Sequence, residues 1–276
     1  MIIERVLNNN TISCIDENGN EIILKGKGIA FQSSRGDVVD NSKIEKRFIL
    51  ENPDTNRKFQ ELLTSIPDDI LDTSEEIIEL IKDNIDKKIS DNIHVTLADH
   101  IANLLERMRL GINFDNTILY DVRRMYQQEY EIAIKAVEII NTNLNIKLEN
   151  DEASFIALHI VNAELDLEMK DVYMIASTIN EIYDYIENFF GLTLNESDLI
   201  SSRFILHLRF FIERIMLQRE FSKSKNEDLL EILTIKYIDQ YKCVEEIIHI
   251  LSKKFNSSVS EDDKLYLLIH IVKLTT

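Results

Sequence analysis

Cysteine is nearly missing. Cys14 and Cys243 are the two in 276 residues, far apart and outside any CxxC spacing, which excludes a disulfide framework and a zinc knuckle and leaves two reduced thiols. No apolar run approaches the ~20 residues of a membrane span. The opening MIIERVLNNN meets Glu4 and Arg5 before a secretory apolar stretch can form, so a cytoplasmic protein without membrane insertion is expected. HExxH is absent, and no nucleophile is set beside an orienting base, so neither a metal, a cofactor nor an enzyme activity is expected. Positive charge is also short. At a net charge of −18 the chain as a whole is a poor ligand for nucleic acid, because backbone affinity comes from Lys and Arg displacing counterions.

The distribution of charge along the chain points the other way. Residues 1–50 are neutral, because Arg5, Lys25, Lys27, Arg35, Lys43, Lys46 and Arg47 balance their acids, so the whole −18 falls on the remainder. Four of the six glycines (Gly19, Gly26, Gly28, Gly36) fall there too. The shift marks a domain boundary, and ENPDTNRK around Pro53 reads as the linker. The stretch LKGKGIAFQSSRGD at 24–37 is the cationic, glycine-bearing part of this segment.

The first segment reads as strands: ERVLN, NTISCID, NEIILKG and GIAFQ are short, rich in Val, Ile and Phe, and separated by turn chemistry. Asn18-Gly19 is the favoured pair for a type I′ hairpin. A small antiparallel sheet follows, and its ~50 residues barely supply a core, so a dimer is expected. After Pro67 the pattern turns helical, with Gly111 and Gly191 placed as helix stops. The helical part repeats. DHIANLLER (Asp99 to Arg107) matches LHLRFFIER (Leu206 to Arg214), and DEASFIALHIVNA (Asp151 to Ala163) matches EDDKLYLLIHIVKL (Glu261 to Leu274). The expected architecture is therefore multidomain: a small antiparallel β-sheet domain at 1–55, then two homologous all-α bundles at 65–170 and 171–276.

Four histidines, His100, His159, His207 and His270, stand at equivalent places of the two copies; His94 and His249 do not and read as structural. Seven residues is nearly two helical turns, so Arg107 shares a face with His100 and Arg214 with His207, while Glu152 and Asp263 stand in the same relation to His159 and His270. Metal ligation and acid–base catalysis are weaker readings than phosphoryl acceptance. A neutral imidazole is a competent nucleophile, and phosphorylation turns it dianionic. Two unit charges about 6 Å apart at an effective dielectric of ~20 repel by roughly 3 kcal/mol, enough to shift a packing equilibrium about a hundredfold.

RVLNNN, GKGIAFQ and KIEKRF, followed by two His-bearing helical copies with LADHI and DEASFIALHIVNAEL, resemble the BglG/SacY/LicT-type transcriptional antiterminators over the whole chain. The resemblance implies an RNA-binding domain that dimerises and clamps a hairpin in nascent leader mRNA, blocking an overlapping terminator. It implies two regulation domains phosphorylated on histidine by the sugar phosphotransferase system, with inhibition by the sugar-specific permease at the first and activation by HPr at the second. The operon is expected to serve a β-glucoside, or else sucrose. Carried onto matching positions, the RNA contacts are Arg5, Asn8, Asn10, Gly26, Lys27, Gly28 and Phe31, and the phosphorylation sites His100, His159, His207 and His270. Glycines allow close backbone approach, Lys27 meets phosphate, and Phe31 stacks on a base. Against these readings, Phe31 is also a core candidate, Lys27 a solvated charge, and Asn8 and Asn10 turn formers. Ser33-Ser34 stands where relatives carry two lysines, so phosphate affinity is expected either to be weaker or to shift to Arg35. A phosphotransfer enzyme without RNA binding is the alternative. A DNA-binding regulator is disfavoured, since the strand-rich N-terminus offers no helix-turn-helix module.

Overall fold

The computed structural model describes residues 1–16, 19–50, 52–111, 122–194, 198–217, 227–257 and 259–276. Four strands, β1 (Ile2–Asn8), β2 (Thr11–Ile15), β3 (Glu21–Lys25) and β4 (Lys46–Phe48), form one antiparallel sheet in sequence order. Asn18 lies outside the described residues, whereas Gly19 takes φ +83°, the left-handed conformation a tight turn needs. GIAFQ is not a strand. Gly28 (φ +65°) and Gln32 (φ +57°) break extension there, and the segment folds into successive turns: Ile29 N–H donates to Gly26 O at 3.0 Å and Phe31 N–H to Gly28 O at 3.2 Å. The fourth strand is Lys46–Phe48 instead, paired through Ile23↔Phe48.

Eleven helices follow among the described residues: α1 (Pro53–Ser65), α2 (Asp68–Asn84), α3 (Ile93–Leu110), α4 (Val122–Met125), α5 (Gln127–Asn143), α6 (Asp151–Leu165), α7 (Met169–Phe190), α8 (Leu199–Met216), α9 (Glu227–Lys236), α10 (Ile238–Phe255) and α11 (Glu261–Thr275). The stretch read as a linker is thus the start of a helix. Asn52 caps it by accepting from the backbone N–H groups of Asp54 and Thr55, with Pro53 at the first position. Gly111 and Gly191 end α3 and α7 in left-handed conformations, as expected.

The described residues fall into two compact units. One takes in those of Met1–Asn116 and Gln128–Leu167, the other those of Thr117–Gln127 and Glu168–Thr276. The sheet and the first helical set are therefore one unit, and α4 belongs with the second set although it precedes residue 170.

In the first unit the sheet buries both faces. Ile3, Ile12, Cys14, Ile22 and Leu24 pack under Ile29, Ala30 and Val39 of the 26–45 connection. On the opposite face Leu7, Ile23 and Phe48 join Phe59 and Leu63 of α1, Leu71 of α2 and Ala98 of α3. Helix α6 is apolar nearly all round and lies buried. In the second unit α11 opens with a capping box, in which Ser260 Oγ accepts from Asp263 N–H and the Asp263 carboxylate accepts from Ser260 N–H. There Arg209 Nη1 donates to Met125 O at 2.5 Å and covers the buried Tyr126 ring at 4.9 Å. Among the described residues no helix is long and apolar enough to cross a membrane.

Candidate functional site

The repeat brings its histidines together in pairs. In the first unit His100 on α3 meets His159 on α6, with ring centroids 4.7 Å apart. Glu152, in the first turn of α6, sets Oε2 3.7 Å from His100 Nε2 and Oε1 3.5 Å from Arg107 Nη2. Burial drives the His100 pKa well below its usual value, with the charges of His159 and Arg107 adding to it. Burial alone takes His159, 8% exposed, down to about 4. Burial likewise raises Glu152 against the pull of Arg107. Both rings are therefore neutral at pH 7, and His159 Nδ1 is buried without a hydrogen-bond partner. A neutral imidazole keeps a lone pair on whichever ring nitrogen lacks the proton, and that lone pair is what nucleophilic attack on phosphorus requires.

In the second unit His207 on α8 and His270 on α11 lie with ring centroids 4.2 Å apart, tilted by 33°. Burial, then His207 and Lys273, lowers the His270 pKa to about 4. Asp263 pairs with Arg214, as Glu152 does with Arg107. One position differs. Tyr266, where the first copy has Phe155, hydrogen-bonds through its hydroxyl to His207 Nδ1 at 2.6 Å. Both pairs are built from helices remote in sequence, so the faces shared by His and Arg were legible in spacing, whereas the ring-to-ring contact was not.

The remaining histidines behave differently from each other. His249 lies exposed on α10 rather than in a core. His94 is buried, its Nδ1 2.6 Å from Glu75 Oε1, with its ring edge-on to Phe48 at 5.6 Å. Burial raises the Glu75 pKa, but hydrogen bonds and charge from His94 and Lys46 outweigh it, leaving the carboxyl lowered overall.

On the sheet, the seven expected RNA contacts divide into two groups. Asn10 is a local hub: its N–H donates to Asn8 Oδ1 (2.8 Å), its carbonyl accepts from Gly26 N–H (2.9 Å), and its Oδ1 accepts from Gly28 N–H (2.7 Å). This latches the β1–β2 turn to the Gly26–Gly28 turn. Gly26 has a packing reason of its own, since a Cβ there would stand 1.7 Å from Lys43 O. Lys27 is exposed and Phe31 is 63% exposed, outside the core. Arg5, Asn8 and Asn10 instead reach the following helices: Arg5 Nη1 to Gln60 Oε1 (3.4 Å), Asn8 Nδ2 to Leu63 O (2.8 Å) and Asn10 Nδ2 to Asp68 Oδ2 (2.5 Å). Lys25 and Lys46, which stand out in the sequence only as charge, pair with α2 through Asp72 and through Glu75 and Glu79. Strand alternation is the signal that places Lys25 on this face, beside Ile23.

Comparison with known proteins gives these positions a context. The family model described as CAT RNA binding domain matches residues 1–57, and that described as PRD domain matches residues 75–163 and 180–274. The transcription antiterminator LicT of Bacillus subtilis is 38% identical over 274 residues, covering 99% of both chains. The β-glucoside operon antiterminator of Dickeya chrysanthemi is 33% identical, covering 99% of this chain and 96% of its own. Among solved structures, GlcT CAT-PRDI aligns with a TM-score of 0.52 at 32% identity, over 59% of this chain and 97% of that one. LicT in complex with its RNA target is 50% identical over 20% of this chain and 98% of that one, with a TM-score of 0.19. The chain belongs to the family of transcription antiterminators in which a CAT RNA binding domain is followed by two PRD domains.

Proposed function

We propose that the protein captures a hairpin in leader mRNA as a homodimer through its β1–β4 module, residues 1–55, so that an overlapping terminator cannot form. The regulatory input is phosphorylation of His100 and His159 in the first PRD, residues 65–170, and of His207 and His270 in the second, residues 171–276. The donors are the sugar-specific permease of the phosphotransferase system for the first pair and HPr for the second. It is a cytoplasmic regulator rather than an enzyme. The name of the Dickeya relative supports a β-glucoside operon.

The observation that carries this reading is the recurrence, in both copies, of a close, tilted imidazole pair beside an acid–arginine pair, with His100, His159 and His270 kept neutral by burial. A ring lone pair forms the new N–P bond as the bond between phosphorus and the donor's phosphorylated side chain breaks, and that side chain leaves with the bonding pair. The product carries a charge of about −1.5 to −2 beside a second ring and a carboxylate. At ~5 Å and an effective dielectric of ~20 each unit-charge repulsion amounts to roughly 3 kcal/mol, so the pair must repack or recruit its arginine.

Mass spectrometry of the full chain incubated with the general phosphotransferase components tests the switch. Phosphate on the paired histidines is expected, and none on any of the four overturns it. For RNA, Asn10→Ala and Phe31→Ala are expected to weaken binding of the LicT target hairpin while circular dichroism stays unchanged; equal affinity for unrelated hairpins defeats the specificity claim.

A further inference from the structure

One face of the sheet is apolar throughout, with Ile12, Cys14, Ile22 and Leu24. The opposite face mixes Ile23 with Thr11, Ser13 and Lys25, by strand alternation and the register Ser13↔Ile23, Thr11↔Lys25. Against this mixed face lies α2, which carries seven acids and one lysine. Four of the acids, Asp68, Asp72, Glu75 and Glu79, recur at helical spacing and form a single stripe, with successive carboxylates about 4.5–6 Å apart along the axis. Each meets a group of the sheet. Asp68 takes the Asn10 amide at 2.5 Å, Asp72 takes Lys25, and Glu75 and Glu79 take Lys46 at 3.0 and 2.7 Å.

We propose that α2 is an internal stand-in for RNA: its carboxylate stripe occupies the amide and ammonium groups that a sugar–phosphate backbone takes, so docking of α2 and capture of RNA exclude each other. The inference rests on the RNA-binding reading above and adds the surface that opposes it. Three of the seven candidate contacts, Arg5, Asn8 and Asn10, are held by α1 and α2. Burial across the contact is lopsided. The Lys25 side chain is 9% exposed while its partner Asp72 is 69% exposed, so the anion can withdraw into water without a desolvation cost of its own. The docked face is also imperfect, because Thr11 Oγ1 and Ser13 Oγ are buried there without a hydrogen-bond partner, a penalty that a polar occupant able to reach them relieves. Finally, the sheet segment is neutral and the rest of the chain holds the whole charge of −18. The nearest polyanion available to Lys25 and Lys46 is therefore the chain itself.

The test uses the full chain and the labelled LicT target hairpin. A carbodiimide joins a carboxylate to an adjacent amine at zero length, so Lys25–Asp72 and Lys46–Glu79 cross-links are expected in the free protein and are expected to fade as hairpin is added. The double variant Asp72→Asn, Glu79→Gln, at two positions exposed on the acid side, is expected to bind the hairpin about three- to tenfold more tightly, the size that loss of two ion pairs with one solvated partner each allows. Asp239→Asn with Glu168→Gln removes the same charge from exposed sites of the second unit and is expected to change affinity less than about twofold. Cross-links that persist at saturating hairpin overturn the proposal, as does an Asp72/Glu79 variant that binds no better than the control. If no form binds any hairpin, the RNA-binding reading is the one at fault and the proposal falls with it.

Discussion

Burial of His159 gives a pH dependence that can be worked out in advance. Its pKa lies at about 4 in the folded protein, against about 6.5 for a free imidazole. Above pH 6.5 the ring is neutral folded and unfolded, so proton binding favours neither state. Between pH 6.5 and about 4 the unfolded ring takes up a proton that the folded ring refuses, and stability falls as pH falls. Below about 4 both states are protonated and the loss is complete, at about 3 kcal/mol; at pH 5 it has reached about 2 kcal/mol. The perturbation is His159→Leu, which suits a buried position on an apolar helix. Urea midpoints and slopes at pH 7.5, 6 and 5, followed by circular dichroism and by hydrogen exchange of α6 amides, compare the two proteins. The wild type is expected to lose about 2 kcal/mol more than the variant between pH 7.5 and 5. The same groups outside this pair titrate in both, so they cancel in the difference. Identical pH slopes would refute the argument that burial holds this ring neutral.

Two further substitutions probe geometry rather than charge. Gly26→Ala places a methyl 1.7 Å from the Lys43 carbonyl oxygen, and because that atom is backbone the turn must shift. The variant is expected to lose at least about 2 kcal/mol of stability and with it the Asn10 latch; a thermal-melt and RNA-binding comparison checks both, and wild-type values in each defeat the account. Ser260→Ala removes the acceptor for Asp263 N–H at the start of α11 and is expected to destabilise the second unit by about 1 kcal/mol in urea titration. Unchanged exchange rates at the first α11 amides would show that the cap contributes nothing.

Much of the molecule was legible in the chain. Alternating Val and Ile with turn residues marked three of the four strands, and apolar spacing with Gly111 and Gly191 marked helices and their ends, because these signals arise from backbone conformation within a few residues. The misread strand at GIAFQ shows where that locality fails. Ile29 and Ala30 are buried as a strand would bury them, yet the left-handed Gly28 and Gln32 hold them on turns. Apolar character alone does not distinguish the two. The linker at Pro53 failed for a related reason, since proline after asparagine is both loop punctuation and a capped helix start.

The repeat, and the equivalence of His100 with His207 and His159 with His270, were written in the sequence. Their ring contacts across α3–α6 and α8–α11 belong to tertiary structure, as does the meeting of Asn10 with Asp68 and of Lys25 with Asp72 across 58 and 47 residues. Periodicity determines which side chains share a face, because that follows from the local geometry of one helix or strand. Which faces meet is decided only when the whole chain buries its apolar surface, and that step turned isolated histidines into pairs and an acidic helix into a cover for the sheet.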